Sequence, residues 1–146
     1  MKMLRRTVLT SLTTCMVVGA VVATPALAAS AYQVDSAKLV ARGAGVAVTV
    51  TVTCDPYTDW TGQPSTAVDV TMALRQSVRH GTITSGTADS GWLNICDSTP
   101  HKVSLLVLPS PDAMTKGSAL ATSTVTFNTF GGLPAPLNYT NVAHIW

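Results

Sequence analysis

The sequence contains no glutamate, and only 11% of its 146 residues are charged. Thr, Ser, Val and Ala dominate instead, a composition that favours strands over helices. No segment repeats its apolar residues at helical spacing. No Lys/Arg stripe runs along the chain, which argues against nucleic acid as a partner. There is no C-x-x-C pair, and His80, His101 and His144 are too scattered for a metal signature, so no metal is expected. No Gly-rich loop lies between a strand and a helix, so a nucleotide site lacks support and no cofactor is expected. Cysteine is limited to three positions, Cys15, Cys54 and Cys96.

The beginning of the chain has a different character. Lys2, Arg5 and Arg6 precede an apolar run from Val8 to Ala23, and Ala26-Leu27-Ala28 completes an A-x-A cleavage pattern. Residues 1–28 are expected to be a signal peptide cut after Ala28. As a membrane anchor the run is short. "LTTC" at Leu12–Cys15 loosely matches a lipoprotein box, but Thr14 fits poorly before a modified cysteine and apolar residues continue past it. Arg5-Arg6 leaves twin-arginine export as a minority alternative to general secretion.

About 118 residues remain from Ala29 onward, the size of one domain. They hold six basic and seven acidic residues, close to neutrality. Cys54 and Cys96 are the only cysteines left, and an even pair in an exported chain implies a disulfide.

Period-two alternation is the strongest pattern. In "VAVTVTVTC", Val46, Val48, Val50, Val52 and Cys54 share one face and threonines occupy much of the other. Ala67–Gln76 repeats it. His101–Pro109 is expected to be a central strand because Leu106 and Leu108 are apolar as well. Ser118–Phe127 is a fourth strand, and Ala37–Ala41, Val78–Thr84 and Trp92–Ile95 are shorter candidates. Gly43/Gly45, Gly62/Pro64, Gly86/Gly91, Pro100 and Gly117 supply the turns. About seven short strands imply an all-β antiparallel sandwich over residues 29–130. Gly131, Gly132, Pro134 and Pro136 then break continuity, so 131–146 is expected as a loosely docked, dispensable tail. Asn138 sits in a glycosylation sequon, "NYT".

A Val/Thr strand ending in cysteine, a strand ending "LRQ", then "HG", "CD", "PHKVSLLV" and "KGSALATSTVT" resemble the small secreted immunoglobulin-like proteins of actinomycetes. The resemblance covers roughly residues 37–126. It implies an immunoglobulin-like sandwich with Cys54 bonded to Cys96, and it brings no catalytic residues. The Trp60 loop and the segment after Gly131 lie outside it.

Two constellations invite a chemical reading. "ADSGW" (Ala88–Trp92) with His144 superficially evokes a chymotrypsin-like protease, but the order is reversed, Trp92 stands where the oxyanion loop needs glycine, and two barrels do not fit. No catalytic residue is assigned. Asp55, Asp59, Asp89 and Asp97 offer oxygen to calcium, but aspartate in turns more often caps its own backbone. Tyr57, Trp60 and Trp92 are the candidate ligand-binding residues. If the cysteines are bonded, these rings gather at one end, either as a sugar-binding platform or as a shield over the core. The shield is preferred, with Trp60 packed over the disulfide.

The expected function is that of an exported, monomeric domain without enzymatic activity, having a binding or structural role outside the cell. Its partner is an extracellular ligand or cell-wall polysaccharide, and no membrane span remains after cleavage. The alternatives are a wall-carbohydrate module using the loop aromatics, a small-molecule carrier, and a protease inhibitor presenting "LPSPDAMTKG".

Overall fold

The computed structural model describes residues 30–129 and 134–146. The signal-like segment, Cys15 and the Gly131-Gly132 break lie outside them. The described chain is all-β, with seven long strands: β1 (Ala31–Val40), β2 (Gly45–Thr53), β5 (Ala67–Ser77), β6 (Ile83–Asn94), β7 (His101–Val107), β8 (Gly117–Phe127) and β9 (Leu137–Ile145). Two short strands, β3 (Tyr57–Thr58) and β4 (Pro64–Ser65), form a small hairpin between β2 and β5.

The long strands hydrogen-bond in the order β6-β5-β8-β9-β1-β2-β7. All pairs are antiparallel except β1 with β9, which meet in parallel at Ala37 and Ile145. The order folds on itself as an immunoglobulin-like sandwich. One layer is β6-β5-β8-β9, the other β1-β2-β7. Side chains hold the β1–β9 seam where backbone pairing is sparse. Tyr32 stacks on Tyr139 with ring centroids 4.8 Å apart, and the Tyr32 hydroxyl lies 2.6 Å from that of Ser123.

Alternation decides what enters the core. Val46, Val48, Val50 and Val52 are fully buried, as are Val68, Val70, Met72 and Leu74 on β5. Each such side chain stabilises by ~1.5–3 kcal/mol relative to exposure. Gln76, Thr84 and Ser123 are buried polar exceptions, and Gln76 is the largest. Its amide donates to the Thr115 carbonyl and accepts the Thr115 N–H, both at 2.9 Å, so its burial leaves no polar group unsatisfied.

Several sequence expectations change. The expected tail contains β9, paired along its length with β8 and burying Ala143 and Ile145. The prolines precede this strand and do not interrupt it. β7 is a sheet edge and not central, because β2 is its one ladder neighbour among the described strands; Leu106 and Leu108 face solvent while Val103, Leu105 and Val107 face inward. Val78–Thr84 is mostly a tight turn at Arg79–Gly81. Beyond it β6 runs without interruption to Asn94, through Gly86 and Gly91, which were expected as turns. Gly86 is needed for contact: a Cβ there would lie 2.5 Å from the Leu108 carbonyl oxygen.

Candidate functional site

The disulfide defines one end of the sandwich. Cys54 follows β2, Cys96 follows β6 by two residues, and their sulfurs are bonded at 2.03 Å with both residues fully buried. The bond ties the layer containing β2 to the layer containing β6. The Cys54 carbonyl also accepts the Ser98 N–H at 2.9 Å.

Tyr57, expected at a binding surface, is inside. It is only 7% exposed, and its ring meets Phe127 edge-on at 5.2 Å. Its hydroxyl donates to the Ala67 carbonyl and accepts the Asn128 N–H at 2.8 Å. Tyr57 therefore shields the open end of the core. A tyrosine suits this position because its polar tip satisfies backbone groups that tryptophan could not reach with an acceptor.

Trp60, expected as that shield, is 59% exposed. It stands at the apex of a tight turn built by Asp59. The Asp59 carboxylate accepts the N–H groups of Thr61 (2.8 Å) and Gln63 (3.1 Å) and the Thr61 hydroxyl (2.6 Å). These bonds, the Thr61 hydroxyl above all, hold the Asp59 carboxyl below its ordinary pKa. The Trp60 N–H donates to the Asn128 carbonyl at 3.3 Å, which seats the turn on the end of β8.

Trp92 is also turned outward, and a β-bulge turns it. Along β6 the inner positions are even-numbered from Thr84 to Ser90 and odd-numbered at Leu93. The pairing with β5 slips between Asp69–Trp92 and Thr71–Asp89, so β6 carries one extra residue. Gly91 sits there with φ +63°. Asp89 accepts the Gly91 N–H at 2.6 Å, and the Ser90 hydroxyl accepts the Val70 N–H at 2.9 Å. Without the extra residue Trp92 would point into the core; with it the indole is 57% exposed.

The two indoles share one end. Trp92 pairs with Asp69, and Asp69 pairs with Thr126 on β8, two residues before Asn128. At ~4.8 Å per strand and ~3.4 Å per residue, the backbones of Trp92 and Asn128 lie ~12 Å apart. Burial of Asp69, followed by the charge of Asp89, raises the Asp69 pKa.

Other sequence candidates separate. Ser90 lies beside Trp92, whereas His144 approaches the Ser118 hydroxyl (3.3 Å) at the far end, so Ser90 and His144 do not meet. Asp59, Asp89 and Asp97 each cap a nearby turn. No group of three His, Cys, Asp or Glu comes together among the described residues. Asp97, which the spacing did not tie to a partner, accepts from the Thr99 hydroxyl (2.6 Å) and lies 2.8 Å from His101 Nε2. In "LPSPDAMTKG" the Met114 side chain is buried in the core, so that residue is not offered to a protease.

No protein-family model matches the chain, and a search of curated proteins finds no match. No helix among the described residues is long and apolar enough to cross a membrane.

Proposed function

We propose that this is an exported, non-enzymatic immunoglobulin-like domain that binds cell-wall carbohydrate through Trp60 and Trp92. Export is supported by the signal-like residues 1–28 and by a disulfide, which persists in oxidising compartments. Its kinship with the small secreted actinomycete domains is proposed on sequence pattern alone.

The observation that carries the binding role is the Gly91 bulge, which spends a ladder position to turn an indole out of the core. Bulges of this kind re-aim side chains at functional surfaces. Trp60 stands at the same end on a turn made rigid by Asp59. Exposed indoles suit stacking against the apolar faces of sugar rings, and the hydrogen-bonded turn and bulge that carry them lower the ordering cost of binding. Tyr57 has no part in the site because its ring supports the core.

The test is retention on insoluble wall polysaccharide, cellulose and chitin. Trp60→Ala and Trp92→Ala are each expected to weaken retention at least ~tenfold, the effect of losing ~1.4 kcal/mol, with little change in stability. Unchanged retention in the double variant, or no retention by the parent, overturns the proposal.

A further inference from the structure

The end opposite the disulfide has a different chemistry. Three connections meet there: residues 41–44 between β1 and β2, 78–82 between β5 and β6, and 108–116 between β7 and β8. They interlock. The Gly43 carbonyl accepts the Met114 N–H at 3.1 Å, and a Cβ on Gly43 would lie 2.2 Å from the Met114 oxygen. The Thr84 hydroxyl donates to the Asp112 carbonyl at 2.5 Å, and Gln76 fastens Thr115. Arg79 and His80 face Ala113 and Thr115 across a cleft of about 360 Å³.

Positive charge collects here. Beyond residue 29 the chain has six Lys and Arg. Arg42, Arg79 and Lys116 lie on the three connections, and Lys38 and Arg75 lie within two residues of the adjoining strand ends. Lys102 alone is elsewhere. Among the described residues Asp112 is the one acid on the three connections, Asp35 lines a pocket with Trp146, and no ion pair engages Arg42, Arg75, Arg79 or Lys116. Two side chains on these connections occupy costly backbone positions. Arg42 (φ 58°, ψ 32°) and His80 (φ 60°, ψ 20°) sit in the left-handed region at turn apexes, where glycine is the ordinary residue.

Apolar exposure collects at the same end. Among the described residues eight large hydrophobic side chains are exposed. Trp60 and Trp92 belong to the disulfide end. Ile83, Leu108 and Trp146 lie at strand ends beside the basic connections, and Leu106, Leu120 and Val142 lie one to three residues farther along their strands. The Lys38 ammonium lies 5.0 Å from the centroid of the Trp146 ring, so one cation and one indole occupy the same spot.

We propose that this end docks on an anionic phospholipid surface. Trp146, Leu108 and Ile83 enter the interfacial layer, and Arg42, Arg79 and Lys116 contact lipid phosphates. Basic side chains interleaved with Trp and Leu match the chemistry of a headgroup boundary, where the charge is negative and the acyl region begins within a few ångströms. A soluble polyanion would take the cations but leave the apolar side chains in water. The surface is independent of the indole pair at the other end, so its failure and the failure of carbohydrate binding are read separately.

Flotation with vesicles tests it, using phosphatidylcholine alone and phosphatidylcholine mixed with phosphatidylglycerol. Residues 1–28 carry Lys2, Arg5, Arg6 and an apolar run that would bind vesicles by themselves, so the test uses the mature chain from Ala29 and its variants. The expected result is partitioning onto the anionic vesicles that weakens with salt. Arg42→Gly should weaken it roughly fivefold, as should Lys116→Ser. Arg42→Gly should also leave the melt unchanged or raised, because glycine relieves the left-handed backbone. Trp146→Ala and Leu108→Ser should weaken partitioning without changing its salt dependence. Equal partitioning onto neutral and anionic vesicles overturns the proposal. So does retention on soluble polyphosphate or nucleic acid, or salt-sensitive self-association, if Trp146→Ala and Leu108→Ser are silent.

Discussion

Tyr57 and Asn128 are 71 residues apart in sequence, yet the tyrosine hydroxyl accepts the asparagine N–H at 2.8 Å. The same hydroxyl donates to the Ala67 carbonyl, so one oxygen joins the β3 hairpin, the start of β5 and the end of β8. Tyr57→Phe keeps the ring against Phe127 but strands a partly buried donor and acceptor. A loss of ~1–3 kcal/mol is expected in urea melts. Tyr57→Ala should cost ~3–5 kcal/mol, as truncation of buried aromatics does. A melt unchanged in Tyr57→Phe would show that water replaces the hydroxyl at no cost.

Trp60→Ala reverses the outcome expected of a shield. With the indole largely in solvent, the change should cost less than ~0.5 kcal/mol. A cost near that of Tyr57→Ala would put the indole back over the core.

Removal of β9 should abolish the fold. Truncation before Leu137 unpairs β8 along one edge, separates it from β1 and strips Ala143 and Ile145 from the core. Circular dichroism of the truncated chain should show no cooperative transition. Ala143→Asp tests the same point with the chain length intact, since an unpaired buried carboxylate is strongly destabilising.

Replacing Cys54 and Cys96 by serine together should lower stability by ~4 kcal/mol, the loop-entropy value for a sequence separation of 42. Calorimetry of parent and variant measures it. A loss below ~1 kcal/mol would mean that the hairpin and Tyr57 already hold the two layers together.

Acid should weaken the β6–β7 connection. The Thr99 hydroxyl, then His101, hold the Asp97 carboxyl at about 2, below its ordinary 3.8. A depressed carboxylate pKa favours the folded state above the unfolded value, and that contribution is lost as pH falls from 3.8 through 2. Asp69 acts in the opposite sense: its raised pKa disfavours the folded state when ionised, a penalty that fades on acidification. Asp97→Asn should flatten the acid limb of a stability–pH curve, and an unchanged limb would rule Asp97 out as its source.

Where alternation was strict, the sequence was legible. The inner face of Val46–Cys54 and of β5 could be read residue by residue, and the lone cysteine pair matched its bond. Legibility failed where one residue changes the phase. Gly91 reads as a turn in a string, but between two ladders it is a bulge, and only the partner strand shows the slip. β9 was hidden by its Gly/Pro approach, and its inner Ala143 is a weak hydrophobic signal. Tyr57 and Trp60 lie three residues apart in one loop, so which ring turns inward depends on where Asn128 and Ala67 offer hydrogen bonds. The basic end is not legible in the sequence because its cations are distant along the chain and meet only through three connections.

The Ala37–Ile145 pairing has a consequence for how fast the protein forms. It joins residues 108 apart, and the β2–β7 and β5–β8 ladders also close long loops. Topologies dominated by such distant pairings fold in milliseconds to seconds, because loop entropy is lost before the contacts repay it. Until β9 arrives, β8 and β1 each present an open edge of unpaired amides beside Val- and Thr-rich sequence, a template for pairing with other chains. The interval before β9 docks is therefore when the chain is most exposed to aggregation, and variants that delay that docking should lower yield more than they lower the final stability.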